Sequence, residues 1–272
     1  MQSPSPFLDF ALQLAHAAAA EILPRFRITS VETKEDGSEV TEADRRAEAV
    51  MRDRIHLRYP THGVLGEEGS ETKTGAEYLW VLDPIDGTMW FTLGVPKFGT
   101  LIALLQDRQP ILGVVHLPAT NETLYAESGK GCWYRGHDRL DRRVFVDRGV
   151  ERIEDAFISS AGVHHSEISP GSRPGPFQLT NIIRRANKFR FVGDCVQHML
   201  VARGMLHAAL DPRMQPWDSA AIVPCLREAG ATVSTMEGEA DDVVFGESLI
   251  CSCSAKLHQA LIEELNGSRG RY

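Results

Sequence analysis

The sequence has no long hydrophobic run and no excess of basic charge, and each absence excludes a class of protein. The apolar segment 7–22 is interrupted by Asp9, Gln13, His16 and Glu21, and no stretch approaches the ~20 apolar residues that cross a bilayer. The same segment lacks a basic leader, so we expect no signal peptide. With 29 Lys and Arg against 37 Asp and Glu, the formal net charge is -8, so a nucleic-acid partner is not expected.

Cysteines are few, odd in number and irregularly spaced. The five are Cys132, Cys195, Cys225, Cys251 and Cys253. An odd, irregular set does not form a disulfide framework. Cys251 and Cys253 could form half of a metal site, but with no second pair nearby, buried thiols in a strand are the favoured interpretation. We therefore expect a reducing, cytoplasmic environment.

Length and composition predict a globular protein with a substantial core. Of the 272 residues, 43% are hydrophobic and 24% are charged, which is enough apolar content for a substantial core. We expect a single domain with an N-terminal α+β half at about residues 1–150 and a C-terminal α/β half at about residues 151–272. No internal repeat and no low-complexity tract is visible.

Helical spacing and turn residues predict the elements. Apolar residues between Phe10 and Ile22 recur at helical spacing, and Thr41 is a good N-cap for a second helix that ends near Arg58. Apolar runs predict strands at 78–82, 98–105 and 111–115, and glycines at 129 and 131 predict a hairpin. The second half alternates strands with helices, including helices at 177–186, 196–203 and 218–229. The fold class predicted is α+β in layers.

Three acidic clusters stand out from this scaffold. They are Gly66-Glu67-Glu68-Gly69, Asp83-Pro84-Ile85-Asp86-Gly87-Thr88 and Trp217-Asp218. In the second cluster, a buried strand delivers two carboxylates to a single turn, where they would repel unless cations lay between them. Magnesium favours hard oxygen ligands, and the start of the short helix predicted after Gly87 would offer free N–H groups to an anion.

Each cluster taken alone has an ordinary structural explanation. The sequence Asp-Pro-Ile-Asp-Gly is typical of a turn, adjacent glutamates are usually solvated, and Asp218 could be a helix N-cap. The combination of all three is what points to function.

Together the clusters resemble the inositol monophosphatase superfamily of metal-dependent phosphatases. The resemblance is carried by Val40-Thr41-Glu42-Ala43-Asp44, by Gly66-Glu67-Glu68, by residues 80–88, by Trp217-Asp218 and by Glu228-Ala229-Gly230. The order and separations fit the family over almost the whole chain. The resemblance implies a layered αβαβα sandwich of the inositol monophosphatase and fructose-1,6-bisphosphatase type, and a homodimer.

The resemblance also implies roles for the matched residues. Glu67, Asp83 and the Ile85 carbonyl would bind a first Mg²⁺. Asp83, Asp86 and Asp218 would bind a second, and a third, looser ion would lie near Glu67. Asp44 and Thr88 would orient and activate the attacking water, and the amides of Gly87 and Thr88 would hold the phosphate. Two divalent ions ~4 Å apart can clamp both oxygens of an in-line displacement.

The substrate is less clearly indicated. The strand at 98–102, the Gly193-Asp194-Cys195 sequence and the segment 59–63 resemble the histidinol-phosphatase branch, which acts in histidine biosynthesis. Its substrate carries an ammonium group, which Asp194 and Asp211 could bind through charge-assisted hydrogen bonds. Alternatively, Asp194 caps the following helix and Asp211 binds polyol hydroxyls, as an inositol-1-monophosphatase or related polyol-phosphate phosphatase would require. Trp90 departs from both branches.

Two further alternatives come from other parts of the superfamily. One is a phosphatase for 3′-phosphoadenosine nucleotides, although those relatives are usually longer. The other is a binding protein without turnover that associates with the transcription machinery. The complete set of matched metal ligands favours a hydrolase acting on a small phosphorylated metabolite.

Overall fold

The structure is a computed structural model that describes residues 5–28, 30–33, 39–69, 72–73, 75–170 and 175–267. The chain divides into two compact units. The first contains the residues up to Arg143 together with Ala220–Cys225, and the second contains Val144–Ser219 and the residues from Leu226 onward. Within the described ranges, no helix combines the length and the apolar character that a membrane crossing requires.

The described helices and strands include the predicted ones and several short strands that were not predicted, namely β1, β2, β3, β9 and β13 below. Up to residue 144 they are α1 (Pro6–Ile22), β1 (Val31–Thr33), β2 (Glu39–Thr41), α2 (Glu42–Arg58), β3 (Gly63–Gly66), β4 (Tyr78–Asp86), α3 (Thr88–Thr92), β5 (Gly99–Gln106), β6 (Gln109–Leu117), β7 (Glu122–Glu127), β8 (Cys132–Arg135) and β9 (Asp141–Val144). Beyond it they are β10 (Phe157–Ser160), α4 (Thr180–Arg185), β11 (Lys188–Arg190), α5 (Asp194–Ala202), β12 (Ala208–Asp211), α6 (Pro216–Ser219), α7 (Ile222–Ala229), β13 (Thr232–Ser234), β14 (Leu249–Ser252) and α8 (Ala255–Asn266).

The first unit is built on one mixed sheet. Among the described residues its strand order is β3-β4-β5-β6-β7-β8-β9. β3 runs parallel to β4, and successive pairs from β4 to β8 are antiparallel. α2 precedes β3, and Gly66 at the end of β3 pairs with Leu82 of β4. The ends of β3 and β4 therefore lie side by side.

Two helices cover this sheet because their apolar residues lie on one face. Leu14, Ile22, Met51 and Ile55 are fully buried and belong to the same core cluster as Trp80 of β4. Burying each such side chain is worth about 1.5–3 kcal/mol. The indole N–H of Trp80 donates to His62 Nδ1 at 3.1 Å, so the one polar atom of this side chain is also satisfied.

One strand is longer than predicted. β4 continues past Leu82 to Asp86, with a register shift between Asp83 and Asp86 against β5. Pro84 has no N–H to donate and is tolerated at such a bulge. The hydroxyl of buried Thr100 donates to the Pro84 carbonyl at 2.9 Å, which holds the irregular segment against β5.

The second unit has its own mixed sheet, with strand order β11-β10-β12-β14-β13 in the described part. β10 is parallel to β11 and β12, whereas β14 is antiparallel to β12 and β13. The buried His258 of α8 contacts the hydroxyls of Ser234 and Ser252 at 2.8 and 2.9 Å. These contacts fix α8 to two neighbouring strands.

Two helices of the second half differ from prediction. The helix expected at 177–186 is shorter, at Thr180–Arg185, and the single helix expected at 218–229 is divided into α6 and α7. Pro224 explains the division, because in a continuous helix its ring would clash with the carbonyl four residues earlier. Beginning α7 at Ile222 places Pro224 in the first turn, where its missing N–H costs nothing.

Candidate active site

The end of β4 brings two predicted ligands together. Asp83 is buried and Asp86 is half-buried, and each offers a carboxylate oxygen within 4.8 Å of the other. Both side chains come from the bulged end of the strand, so the irregular register turns two residues separated by a proline toward the same place. The two carboxylates of this turn thus lie close together, and their role as metal ligands stays a prediction.

The backbone after Asp83 is held by short-range hydrogen bonds. The hydroxyl of Thr88 donates to the Ile85 carbonyl at 2.9 Å, leaving that oxygen a further lone pair. Gly87 adopts a left-handed conformation with φ 84° and forms the N-cap of α3, a conformation that glycine reaches without a steric cost. The chain can therefore turn from strand to helix within a single residue.

The segment 66–69, which begins at the last residue of β3, is hereafter the acidic loop. The Glu67 N–H donates to the carbonyl of Leu82 at 3.2 Å, which places the loop beside the end of β4 in the same unit. The Glu68 N–H donates to Glu48 Oε2 at 2.9 Å. Both glutamates are half-buried.

Asp44 lies in the first turn of α2 and is fully buried. Its Oδ2 accepts hydrogen bonds from the N–H of Thr41 at 2.8 Å and from the Thr41 hydroxyl at 2.6 Å, completing a capping box. Its Oδ1 is buried with no hydrogen-bond partner. Burial raises the pKa of Asp44 to about 6, and the charge of Glu68 adds to this increase.

The chemistry of these side chains fits a divalent cation. Asp44, Glu67, Asp83 and Asp86 supply only oxygen donors, the type that Mg²⁺ prefers. The carboxylates of Asp83 and Asp86, which offer oxygens within 4.8 Å of each other, repel one another unless positive charge lies between them. The unpartnered Oδ1 of Asp44 adds an acceptor that a bound water could satisfy.

The second unit holds the other predicted residues. Buried Asp211, at the end of β12, accepts from Gln197 Nε2 at 3.4 Å and lies 3.7 Å from His198 Nε2. Asp194 has a left-handed backbone with φ 50° and begins α5. The N-cap of α5 is Gly193, which has no side chain to cap with, so the alternative in which Asp194 caps this helix is wrong.

Asp218 lies in α6, where its Oδ2 accepts from the N–H of Gln215 at 2.7 Å. Asp218 is the third residue of α6 and binds the N–H of a residue that precedes the helix, whereas an N-cap side chain accepts from N–H groups that follow it; the interpretation of Asp218 as the N-cap is therefore wrong. Two residues later the chain enters Ala220–Cys225, the segment that belongs to the first unit.

Sequence reasoning missed several residues that support the site. Thr100 holds the Pro84 carbonyl, and Glu48 and Arg52 contact the acidic loop. In the second unit, Gln197 links Asp211 to the hydroxyl of Ser159. The spacing of Glu48 and Arg52 predicts a helical ion pair, but nothing in the sequence indicates that the pair is buried against a loop.

Trp90, the residue that departs from both branches, is half-buried in α3. The ammonium of Lys97 lies 4.1 Å from the centre of its indole ring, within the range of a cation–π contact. The Val95 N–H donates to the Trp90 carbonyl at 2.8 Å. Trp90 thus stabilises the segment after α3 through its contacts with Val95 and Lys97.

Carboxylates gathered at the end of a mixed sheet define a candidate divalent-cation site in an α+β protein. The sequence model described as "Inositol monophosphatase family" matches residues 3–269. Histidinol-phosphatases of Chlorobaculum parvum and Mycobacterium tuberculosis are each 35% identical to the chain; the alignments cover 98% and 95% of it and 100% and 98% of those proteins. A solved IMPase of Thermotoga maritima has a TM-score of 0.83 and 28% identity, covering 96% of this chain and 97% of that one.

The chain belongs to the inositol monophosphatase family. It is therefore a phosphatase, a hydrolase of phosphate monoesters of small metabolites, in a family whose enzymes use divalent metal ions. The predicted family and α+β fold class are confirmed.

Proposed function

We propose that the protein is a Mg²⁺-dependent phosphomonoesterase that converts histidinol phosphate to histidinol and phosphate. The observation that carries this choice is the 35% identity to two histidinol-phosphatases over nearly the entire chain. The residues at 193–195 and 98–102, which resemble that branch, support the same choice.

The proposed ligands follow the matched motifs. Glu67, Asp83 and the carbonyl of Ile85 would hold one Mg²⁺, and Asp83, Asp86 and Asp218 a second, with a looser third ion near Glu67. The all-oxygen donor set supports this assignment. Asp218 is included because Trp217-Asp218 matches the motif of the family. When bound, the ions would supply charge stabilisation and lower the pKa of a coordinated water.

The chain's own groups would perform the remaining work. The Asp44 carboxylate, anchored through one oxygen by Thr41, would accept a hydrogen bond from the attacking water through its other oxygen. Thr88 would orient the same water. The amides of Gly87 and Thr88 would donate to phosphoryl oxygens, where negative charge is concentrated in the transition state.

Asp194 and Asp211 would select the substrate. Histidinol phosphate carries an ammonium group and an imidazole, and a carboxylate–ammonium hydrogen bond is about twice as strong as a neutral one. Gln197 already donates to Asp211, so the carboxylate has a fixed orientation. We also propose a homodimer in the cytoplasm; five buried thiols support a reducing compartment.

An inositol-1-monophosphatase or related polyol-phosphate phosphatase is the second candidate. The description of the matched family and the similarity to the IMPase of Thermotoga maritima favour it. In that case Asp211 would accept hydrogen bonds from hydroxyls rather than from an ammonium group. A 3′-phosphoadenosine nucleotide phosphatase and a non-catalytic, transcription-associated role are less well supported.

The test is phosphate release from histidinol phosphate and from inositol-1-phosphate, measured in parallel with MgCl₂ and with a chelator. We expect a higher kcat/KM for histidinol phosphate and loss of both activities with chelator. Asp83→Asn should lose most activity while keeping the fold by circular dichroism, because it removes a charge rather than core packing.

A preference for the inositol ester would overturn the substrate while leaving the class intact. Undiminished turnover in Asp83→Asn, or release that continues in the chelator, would overturn the metal-dependent mechanism.

A further inference from the structure

One charged pair is buried beside the acidic loop although it contributes no predicted ligand. Glu48 and Arg52 face each other across one turn of α2, with Arg52 Nε 2.7 Å from Glu48 Oε1. Their side chains are 3% and 13% exposed. Exposed pairs at this spacing are common on helices, but burying two charges requires that their remaining polar atoms find partners.

Two such partners lie in the acidic loop. Glu48 Oε2 accepts from the Glu68 N–H at 2.9 Å, and Arg52 Nη2 donates to the carbonyl of Gly69 at 3.0 Å. The carboxylate of Glu48 and the guanidinium of Arg52 thus bind the loop backbone at two successive residues. Hydrogen bonds to charged groups are stronger than those between neutral groups.

The loop is also shaped to receive the carboxylate. A Cβ built on Gly66 would lie 2.5 Å from Glu48 Cδ, and a Cβ built on Gly69 would lie 2.8 Å from Glu48 Oε1. Any side chain at either position would displace Glu48 or the loop. The two glycines that bracket Glu67 and Glu68 therefore allow the close approach of α2.

We propose that Glu48 and Arg52 are positioning residues that hold the acidic loop so that Glu67 is placed for the metal ion. The inference rests on the proposed function, since it concerns the same metal site. The backbone of Glu67 is held beside the end of β4, because the N–H of Glu68 is bonded to Glu48 and the N–H of Glu67 is bonded to the carbonyl of Leu82. The pair thereby sets metal affinity without touching metal or substrate.

Electrostatics explains why the loop needs such a restraint. Glu67 and Glu68 lie in the same unit as the carboxylates of Asp44, Asp83 and Asp86, and like charges drive a mobile loop away until a cation binds. A loop that is already held in place loses little conformational freedom when the metal ion binds. The entropic cost of binding is therefore smaller, and the affinity for the ion is higher. Mutation of a residue that orients a metal ligand typically weakens metal affinity about 10- to 100-fold.

The test is calorimetric titration of the purified protein with MgCl₂, combined with hydrogen exchange at the Glu68 amide. Glu48→Ala should weaken Mg²⁺ binding about 10- to 100-fold and accelerate that exchange. Glu48→Gln keeps an oxygen that can accept from the Glu68 amide but removes the negative charge that faces Arg52. Its Mg²⁺ affinity should lie between those of the wild type and Glu48→Ala. Arg46→Ala breaks the exposed pair of Arg46 and Glu42 on the same helix and should leave Mg²⁺ affinity unchanged.

A second route avoids removing a buried charge. Gly69→Ala leaves Glu48 and Arg52 intact but inserts a methyl group between them and the loop, so it should also weaken Mg²⁺ binding even if Glu48→Ala fails to fold. The midpoint of Mg²⁺ activation should rise in these variants, while the KM for the phosphate ester at saturating Mg²⁺ changes little.

The outcomes separate the two proposals. If the wild-type protein does not bind Mg²⁺, the proposed function fails. If the wild type binds Mg²⁺ and both Glu48→Gln and Gly69→Ala bind it equally well, the pair serves stability alone and the positioning role is overturned.

Discussion

Asp44 combines a structural and a chemical task in one carboxylate. One oxygen accepts both hydrogen bonds from Thr41, and the other is buried without a partner. An asparagine could accept the Thr41 bonds equally well but could not act as a base. We therefore expect Asp44→Asn to lower kcat about 10²- to 10⁴-fold, while the free energy of unfolding changes by less than about 1 kcal/mol.

The matched control lies three residues away. Thr41→Val removes the hydroxyl that caps the Ala43 N–H, so it should cost about 0.5–2 kcal/mol of stability with a smaller loss of kcat than Asp44→Asn. Steady-state kinetics and urea unfolding measure both effects. Wild-type turnover in Asp44→Asn would show that the carboxylate is only a cap.

At the scale of single residues, the sequence predicted local roles such as a helix cap better than it predicted the burial of a side chain. Thr41 is recognisable as an N-cap from its type and position, and α2 begins where that predicts. The burial of Asp44 and Glu48 is not recognisable, because it depends on β3, β4 and the acidic loop packing over α2. Long-range packing decides whether an acidic residue on a helix is solvated or enclosed.

At the scale of elements, Gly113 shows where a strand and a following helix approach most closely. A Cβ on Gly113 of β6 would lie 2.1 Å from the Ala221 carbonyl oxygen and 2.9 Å from Pro224 Cγ. Ala221 immediately precedes α7, and Pro224 lies in its first turn. Gly113→Ala should therefore force the start of α7 away and lower the free energy of unfolding by about 1–3 kcal/mol or more.

Because Asp218 precedes the start of α7 by only a few residues, Gly113→Ala should also reduce phosphatase activity if Asp218 is a ligand. Gly136→Ala is the control in the same unit, since its Cβ would approach nothing closer than 3.3 Å. Urea unfolding and phosphate release measure the two effects. Unchanged stability in Gly113→Ala would mean that the strand and helix separate at little cost.

Element positions were predicted where local signals agree. α1, α2, β5, β6 and the hairpin of β7 and β8 lie close to their predicted positions, because helical spacing, caps and turn residues coincide there. β4 runs beyond its predicted end, because pairing with β5 and the Thr100 hydroxyl extend a strand across Asp83-Pro84. The division of α6 from α7 could have been predicted from Pro224 alone.

At the scale of the whole molecule, the prediction of the metal-binding carboxylates came from the resemblance of their order and spacing to a family. Glu67 and Asp83 are 16 positions apart, and composition gives no reason to associate them. The structure places Glu67 beside the strand that carries Asp83 through the hydrogen bond from its N–H to Leu82. Parallel pairing of β3 with β4 supplies the physical reason.

The buried histidines make the stability of the whole molecule depend on pH. Burial lowers the pKa of His116 and of His258 to about 4, and that of His198 to about 3, against about 6.5 in an unfolded chain. The unfolded state therefore binds more protons below pH ~6.5, and stability is lost as the pH falls. Each histidine contributes a slope of about 1.4 kcal/mol per pH unit.

Asp44 acts in the opposite direction. Its pKa is raised to about 6 by burial, so the folded state takes up a proton that the unfolded chain takes up only near pH ~3.9. Burial also lowers the pKa of His62, so the histidines that favour proton binding by the unfolded state outnumber this carboxylate, and stability falls on balance as the pH drops below about 6.5. Urea unfolding of the metal-free protein between pH 6 and pH 5 should show stability falling with this sign.

A single substitution identifies the source of the slope. Replacing the buried imidazole in His116→Asn should reduce the dependence by about one proton, or about 1.4 kcal/mol per pH unit, although the variant is less stable at neutral pH because the contact with Thr123 changes. The same substitution at the exposed His164 controls for loss of an imidazole as such. If stability instead rose on acidification, or if His116→Asn kept the full slope, burial of neutral histidines would not govern the acid limit of this fold.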